Sequence, residues 1–150
     1  MKKHLLLPLI VILSLASCHQ KDPSSAETPA PAAVPGTTDN AHTSQNSLDW
    51  MGMYKGVVPC ADCEGIETVL YLSAGDSFVL ETKYLGSGDG KIFKKAGSIT
   101  WNEAGNQIRL SNIEDAPNQY LVGENKLIQL DMAGNRITGQ LADNYILAKQ

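Results

Sequence analysis

Two of the three cysteines in the chain, Cys60 and Cys63, form a CxxC pair within the run Val57-Val58-Pro59-Cys60-Ala61-Asp62-Cys63-Glu64-Gly65. Cysteines at this spacing can form a short disulfide, act as a dithiol redox pair, or supply half of the ligands of a metal site. Which chemistry applies depends on the redox state of the compartment in which the protein folds. The N-terminal sequence indicates that compartment.

The first residues have the pattern of a bacterial lipoprotein signal. A basic start, Met1-Lys2-Lys3-His4, precedes an apolar run that is shorter than the roughly 20 residues needed to span a bilayer. The next residues, Leu15-Ala16-Ser17-Cys18, match a lipobox, in which the cysteine thiol takes a diacylglycerol and becomes the mature N-terminus. We therefore predict a signal peptide at residues 1–17 and an acylated Cys18, with two or more acyl chains such as palmitate for stable anchoring. His19, rather than Asp, follows the cysteine and favours the outer membrane.

The net charge of the chain disfavours one class of partner, and the number of cysteines indicates which bond they form. Without Lys2 and Lys3 the mature chain has 10 basic and 16 acidic residues, a net charge of −6. Such an acidic chain disfavours nucleic acid as a partner. With Cys18 acylated, Cys60 and Cys63 remain as an even pair in an oxidising envelope compartment, where a disulfide persists.

A change of composition separates a tether from a folded domain. Four prolines lie among Ala, Ser, Thr and Asn without apolar periodicity between the lipidated cysteine and about Ser47: Pro23, Pro29, Pro31 and Pro35. We predict a disordered tether at residues 18–48, followed by one folded domain at residues 49–150.

The folded domain has period-two apolar patterning interrupted by turn residues every eight to twelve positions. Ile66, Thr68, Leu70 and Leu72 share one face of a strand, and the run from Phe78 to Tyr84 alternates in the same way. About eight strands result: residues 53–57, 66–72, 78–84, 97–101, 107–111, 119–122, 127–130 and 145–148. Short sequential strands with tight turns predict an all-β antiparallel meander that closes into a small barrel, with a two-layer sandwich as the alternative.

The neighbours of the CxxC pair make its thiols poor nucleophiles. A redox catalyst needs a helix N-terminus or nearby cations, whereas Asp62 and Glu64 flank the cysteines. A copper site at Cys60 and Cys63 would need more ligands, for which the thioethers of Met51 and Met53 are candidates. The simplest interpretation is a disulfide that closes a four-residue loop and contributes about 2 kcal/mol. A redox-sensitive switch is compatible with the same bond.

Histidines are absent from the predicted domain, because all three lie in the signal or tether: His4, His19 and His42. The acidic residues are scattered or cluster around a turn, where carboxylates are usually solvated. We therefore predict that the protein is not an enzyme and has no catalytic residues.

The run from Tyr54 to Thr68 resembles the N-terminal domain of the NlpE family of Gram-negative envelope lipoproteins. The shared pattern is Tyr-x-Gly-x-x-Pro-Cys-Ala-Asp-Cys-x-Gly-Ile. A weaker likeness covers about two-thirds of the chain, through Tyr84-Leu85-Gly86, Gly97 and Trp101, Ile108 and Leu110, and Leu130-Asp131 with Gly134-Asn135.

This resemblance implies a lipocalin-like β-barrel that is lipid-anchored in the outer membrane and faces the periplasm, with Cys60 and Cys63 in the loop at the barrel opening. It also implies a role in the envelope stress response, relayed to an inner-membrane sensor kinase, and in copper tolerance. The best-known members carry a second, OB-like domain with its own cysteine pair, whereas this sequence stops at Gln150. We therefore expect no redox signalling through such a domain.

Two other functions are compatible with the sequence. One is copper buffering through Cys60 and Cys63, in which copper is the bound cofactor. The other is a carrier of a small apolar ligand inside the barrel, since an eight-stranded barrel has room for packed side chains or one small ligand.

Acylation of Cys18 is directly testable. A mass spectrum of the mature protein is expected to show an N-terminal Cys18 that carries diacylglycerol and a further acyl chain. An unmodified N-terminus, or cleavage within the chain, would contradict the lipobox assignment.

Overall fold

A computed structural model describes residues 42–86 and 89–150 of the chain. One helical turn, α1 (Ser44–Ser47), precedes eight strands, and a 3₁₀ helix (Ala142–Tyr145) precedes the last strand. The strands are β1 (Gly52–Val58), β2 (Gly65–Ser73), β3 (Ser77–Leu85), β4 (Ile92–Trp101), β5 (Gln107–Leu110), β6 (Gln119–Gly123), β7 (Lys126–Gln129) and β8 (Ile146–Lys149). The predicted signal peptide, Cys18 and most of the predicted tether lie outside the described residues.

The strands form a closed barrel in which each strand pairs antiparallel with the next and β8 pairs with β1. Period-two patterning explains this arrangement, because Thr68, Leu70 and Leu72 of β2 are buried while residues between them are more exposed. Closure leaves the sheet without a long free edge. The all-β barrel of eight strands predicted from the sequence is confirmed.

The core fills the barrel interior. Burying one such apolar side chain contributes roughly 1.5–3 kcal/mol. The largest fully buried side chains come from six of the strands and the segment after β7: Tyr54, Leu70, Ile108, Leu110, Tyr120, Leu127, Leu130 and Leu147. Within the described ranges, no helix is long and apolar enough to cross a bilayer.

The two ends of the barrel differ in their connections. At one end, called here the closed end, tight turns join β2 to β3, β4 to β5 and β6 to β7. Asp76 and Asn125 adopt positive φ values of 52° and 56° in two of these turns, a conformation that Asn and Asp tolerate better than most residues. At the opposite end, called here the open end, longer segments join β1 to β2, β3 to β4, β5 to β6 and β7 to β8.

The chain packs against the closed end before the predicted boundary at residues 48 and 49. The backbone N–H of Gln45 donates to the Gly105 carbonyl oxygen at 3.0 Å, and Ser44 Oγ donates to the Val122 carbonyl oxygen at 2.8 Å. Trp50 meets Trp101 edge-to-face, with ring centroids 5.4 Å apart. The residues of α1 are short and polar and have no apolar periodicity, so sequence patterning predicts them as part of the tether.

β4 begins at Ile92, five residues before the predicted start at Gly97. Its first half pairs with β3 from Lys83↔Ile92 onward, whereas β5 pairs with β4 only over Ile99–Trp101. The barrel wall is therefore incomplete between β4 and β5 near the open end.

Barrel closure depends on a close approach between β1 and β8. A Cβ atom on Gly56 would lie 2.5 Å from the Ile146 carbonyl oxygen and 3.3 Å from the Leu147 Cα. Both are backbone atoms, so relief would require a strand to move. Glycine at this position therefore allows β8 to pack against β1.

We expect Gly56→Ala to lower the free energy of unfolding by about 1–3 kcal/mol, as overpacking does elsewhere. The matched control is Gly123→Ala in β6, because a Cβ atom there would approach only the flexible Lys126 side chain, at 3.3 Å, before its backbone at 3.8 Å. Urea denaturation of the two variants and the parent measures the difference. Equal stabilities of the two variants would contradict the role of Gly56.

Candidate functional site

The CxxC residues lie in the open-end connection between β1 and β2. A disulfide bond joins Cys60 and Cys63, whose Cα atoms are 5.3 Å apart. Both cysteines are half-buried, whereas Ala61 and Asp62 between them are exposed. The bond is therefore at the protein surface, where a reductant can reach it.

Contacts outside the disulfide also position this loop. The Glu64 N–H donates to the Leu85 carbonyl oxygen at 3.0 Å, which ties the loop to the end of β3. Gly65 is buried, and a Cβ atom there would lie 2.6 Å from the Val57 side chain. The glycine that follows the CxxC therefore lets the chain enter β2 beside Val57.

The oxidised loop does not fit a copper site. The sulfurs of Cys60 and Cys63 are bonded to each other and offer no thiolate. Met53 is near the start of β1, so at about 3.3 Å per residue it lies roughly 16 Å from the strand end that leads to Cys60. In the part of the chain that the structure describes, no group of three or more His, Cys, Asp or Glu side chains could hold a metal ion. The methionine ligands considered from the sequence are therefore too distant to join the cysteines.

A groove of about 250 Å³ lies beside the disulfide. Val57, Pro59 and Cys60 form one side, and Leu141 and Asn144 from the segment before β8 form the other. Leu141 is 55% exposed. The groove thus combines apolar side chains with Cys60 of the disulfide and with the polar Glu64 and Asn144.

Exposed apolar side chains are concentrated at the open end. Within the described ranges, seven large apolar side chains are exposed, and only Met51 lies at the closed end. Contiguous exposed apolar surface often marks a site of interaction with another molecule. The other six are Val57, Tyr84, Ile92, Phe93, Met132 and Leu141.

The outer wall near this end carries paired charges. Lys55 Nζ lies 2.9 Å from Glu67 Oε2, and Lys94 Nζ lies 2.8 Å from Glu81 Oε1. The hydrogen bond to Glu81 raises the pKa of Lys94. Exposed pairs of this kind contribute little to stability.

A cavity of about 290 Å³, called here the mouth cavity, opens at the same end of the barrel interior. The rings of Tyr84 and Phe93 meet edge-to-face at 5.8 Å at its edge, and Lys91 Nζ lies 5.3 Å from the Phe93 ring centroid. Most of the lining is apolar. The lining residues are Val58, Ile66, Thr68, Leu80, Thr82, Tyr84, Phe93, Lys95, Ile113, Ala116, Pro117, Tyr120 and Gln129.

Two polar residues of the mouth cavity were not predicted from the sequence. Gln129 is 7% exposed, and its Oε1 atom has no hydrogen-bond partner among the described residues. Lys95 lies on the same face of the sheet as Leu80 and lines the cavity at its exposed edge. Burial also raises the pKa of Tyr120, so its hydroxyl is neutral at physiological pH.

The family model described as the NlpE N-terminal domain matches residues 54–140, which include most of β1, all of β2 to β7 and the CxxC loop. The chain belongs to the NlpE family. Tyr54, Gly56 and Gly65 of the family pattern have structural roles here: a fully buried ring, the close approach to β8, and the start of β2.

Individual NlpE relatives agree with this assignment. Lipoprotein NlpE of Escherichia coli (strain K12) is 35% identical over 94 residues, a match that covers 63% of this chain and 39% of the relative. The chain therefore spans about two-fifths of the length of that relative.

Solved structures provide two further matches. A crystal structure described as a lipoprotein from Shewanella oneidensis is 55% identical, with a TM-score of 0.66 over 72% of this chain and 95% of that chain. The crystal structure of the Cpx pathway activator NlpE from Escherichia coli is 34% identical, with a TM-score of 0.49 over 59% of this chain and 46% of that chain.

The disulfide gives a testable prediction about copper. With the Cys60–Cys63 bond intact, we expect the protein and its Cys60→Ser, Cys63→Ser double variant to bind copper(I) equally, because neither offers a thiolate at the loop. Competition titration against a chromophoric copper(I) chelator measures both affinities, in the absence of reductant. Tighter binding by the oxidised parent would contradict the interpretation of the loop as a disulfide without metal.

Proposed function

We propose that this chain is an outer-membrane lipoprotein that acts as a binding and signalling module of the envelope stress response. Membership of the NlpE family supports this, since the Escherichia coli relative is a lipoprotein and is described as an activator of the Cpx pathway. The lipobox at Leu15-Ala16-Ser17-Cys18 supports the anchor. The role is one of binding rather than catalysis.

The anchor proposed at Cys18 is consistent with the way the chain enters the barrel. Residues 43–51 pack at the closed end, and β1 runs from there to the open end. The open end is therefore the end remote from the point where the tether joins. At about 3.4 Å per residue, residues 18–42 can extend about 80 Å at most, which lets the open end reach a partner away from the membrane surface.

The open end is the surface that we assign to a partner, and the inner-membrane sensor kinase of the stress pathway is the proposed partner. One observation carries this assignment: six of the seven large apolar side chains exposed in the described ranges lie at the open end. The hydration of exposed apolar side chains is unfavourable, and a bound partner would remove these side chains from water. The closed end, which has tight polar turns, lacks such a cluster among the described residues.

Charge placed at the open end tests this proposal. We expect Ile92→Glu and Leu141→Glu each to reduce a stress-response reporter several-fold, because a carboxylate would have to be desolvated in the contact. Ile92 is 57% exposed and Leu141 is 55% exposed, so neither change disturbs the core. The readout is reporter activity after overproduction of the lipoprotein.

The matched control is Met51→Glu, which introduces the same charge at an exposed apolar position of the closed end, where Met51 is 44% exposed. This variant is expected to signal like the parent. Membrane fractionation and thermal denaturation establish that all three variants are anchored and folded. Equal signalling by all three would refute the open end as the contact surface.

A further inference from the structure

The mouth cavity has a function that the proposed contact with a sensor does not require. We propose that it binds a single-chain amphiphile with an acidic head group, with the hydrocarbon chain among the apolar lining residues and the head group beside Lys95. Size, charge, an unpaired buried amide and an opening in the barrel wall support this inference. It does not depend on the proposed signalling role.

The size of the cavity suits one hydrocarbon chain. Its volume is about 290 Å³, near the lower limit of ordinary ligand pockets. A dry apolar cavity of about 150 Å³ accommodates benzene, so this one has room for roughly a dozen non-hydrogen atoms. Leu80, Ile66 and Ile113 supply apolar walls of the kind that contact a methylene chain.

The charge of the lining favours an acidic head group. Lys95 pairs with Leu80 across the sheet, and both residues line the cavity. The next residue, Lys94, points to the outer wall and binds Glu81. No Asp or Glu occurs among the described residues that line the cavity. Lys95 is exposed at the open end, where its ammonium can meet the anionic group of a ligand.

Gln129 supplies a second polar group. Gln129 is only 7% exposed, and its Oε1 atom has no hydrogen-bond partner in the described ranges. Buried polar groups in native structures are generally hydrogen-bonded. The unpaired atom is an acceptor, so it needs a donor such as a hydroxyl of the head group, which an ionised carboxylate alone does not provide. An occupant of purely hydrocarbon character would leave it unsatisfied.

The incomplete wall between β4 and β5 provides the route of entry. β4 pairs with β5 only over Ile99–Trp101, while Phe93 and Lys95, earlier in β4, line the cavity. The facing lining comes from the β5–β6 connection through Ile113, Ala116 and Pro117. A chain can therefore enter between β4 and this connection without breaking the ladder that joins β4 to β5.

Calorimetric titration with dodecanoate, below its micelle concentration, tests the proposal. The protein is the mature chain, residues 18–150, with Cys18→Ser in every sample so that no detergent competes for the cavity. We expect the parent to bind dodecanoate at least tenfold more tightly than dodecyltrimethylammonium. Lys95→Gln is expected to weaken dodecanoate binding at least fivefold, whereas Gln129→Leu is expected to weaken binding of dodecanoyl lysophosphatidylglycerol, whose glycerol hydroxyls can donate to Gln129, more than that of dodecanoate.

The matched control is Lys94→Gln, which removes the same charge from the neighbouring position on the outer wall and is expected to change affinity less than twofold. A dodecanoyl lysophosphatidylglycerol arm shows whether a free carboxylate or an anionic lipid head group is the better ligand, and binding of either supports the proposal. Failure of the parent to bind both would overturn it. Equal losses in Lys94→Gln and Lys95→Gln, or equal binding of the cationic amphiphile, would overturn the assignment of an acidic head group.

Discussion

Closure of the sheet between β1 and β8 is the constraint on which the rest of this structure depends. The register between these strands contains only two pairs, Tyr54↔Lys149 and Lys55↔Ala148. Closure therefore also depends on packing between the two strands. Gly56 allows the Ile146 backbone to approach, and the fully buried Tyr54 donates from its hydroxyl to the Trp50 carbonyl oxygen at 2.7 Å. Burial, assisted by the charge of Asp49, raises the pKa of Tyr54 to about 12, which keeps this donor protonated. A sheet that did not close here would leave two strand edges open to pairing with other chains.

The two ends of the eight-stranded barrel are covered to different extents. At the closed end, Leu48, Trp50 and Trp101 pack against the core, and short turns join the strands. At the open end, the connections are longer and β4 departs from β5, so side chains that point inward no longer meet a facing wall. Phe93 consequently remains 47% exposed although it belongs to the inner face of β4. The exposure of Phe93 and the opening of the mouth cavity thus have one cause, which is the incomplete pairing of β4.

Period-two patterning was sufficient to predict the eight strands, because a half-buried strand in a small barrel has one apolar and one polar face. It failed where the barrel departs from that rule. The first half of β4, Ile92–Ala96, has Lys95 on its inner face, so its pattern did not alternate as a strand should. The inward position of Gln129 is not predicted for the same reason, since a polar residue in a strand is ordinarily assigned to the solvent face. Sequence patterning therefore does not predict the polar residues at inward positions of this barrel. Such residues are also the ones that a site for a polar head group requires.

The CxxC pair has a more limited structural role than its chemistry first indicates. A disulfide that closes four residues contributes only about 2 kcal/mol in the chain-entropy model, and the hydrogen bond from Glu64 to Leu85 and the packing of Gly65 on Val57 hold the loop independently of it. The loop therefore keeps contacts with β1 and β3 that do not involve the disulfide. Cys60 lines the groove beside Leu141, so the disulfide belongs to the end of the barrel where the apolar side chains are exposed. Its contribution to the stability of the fold is small.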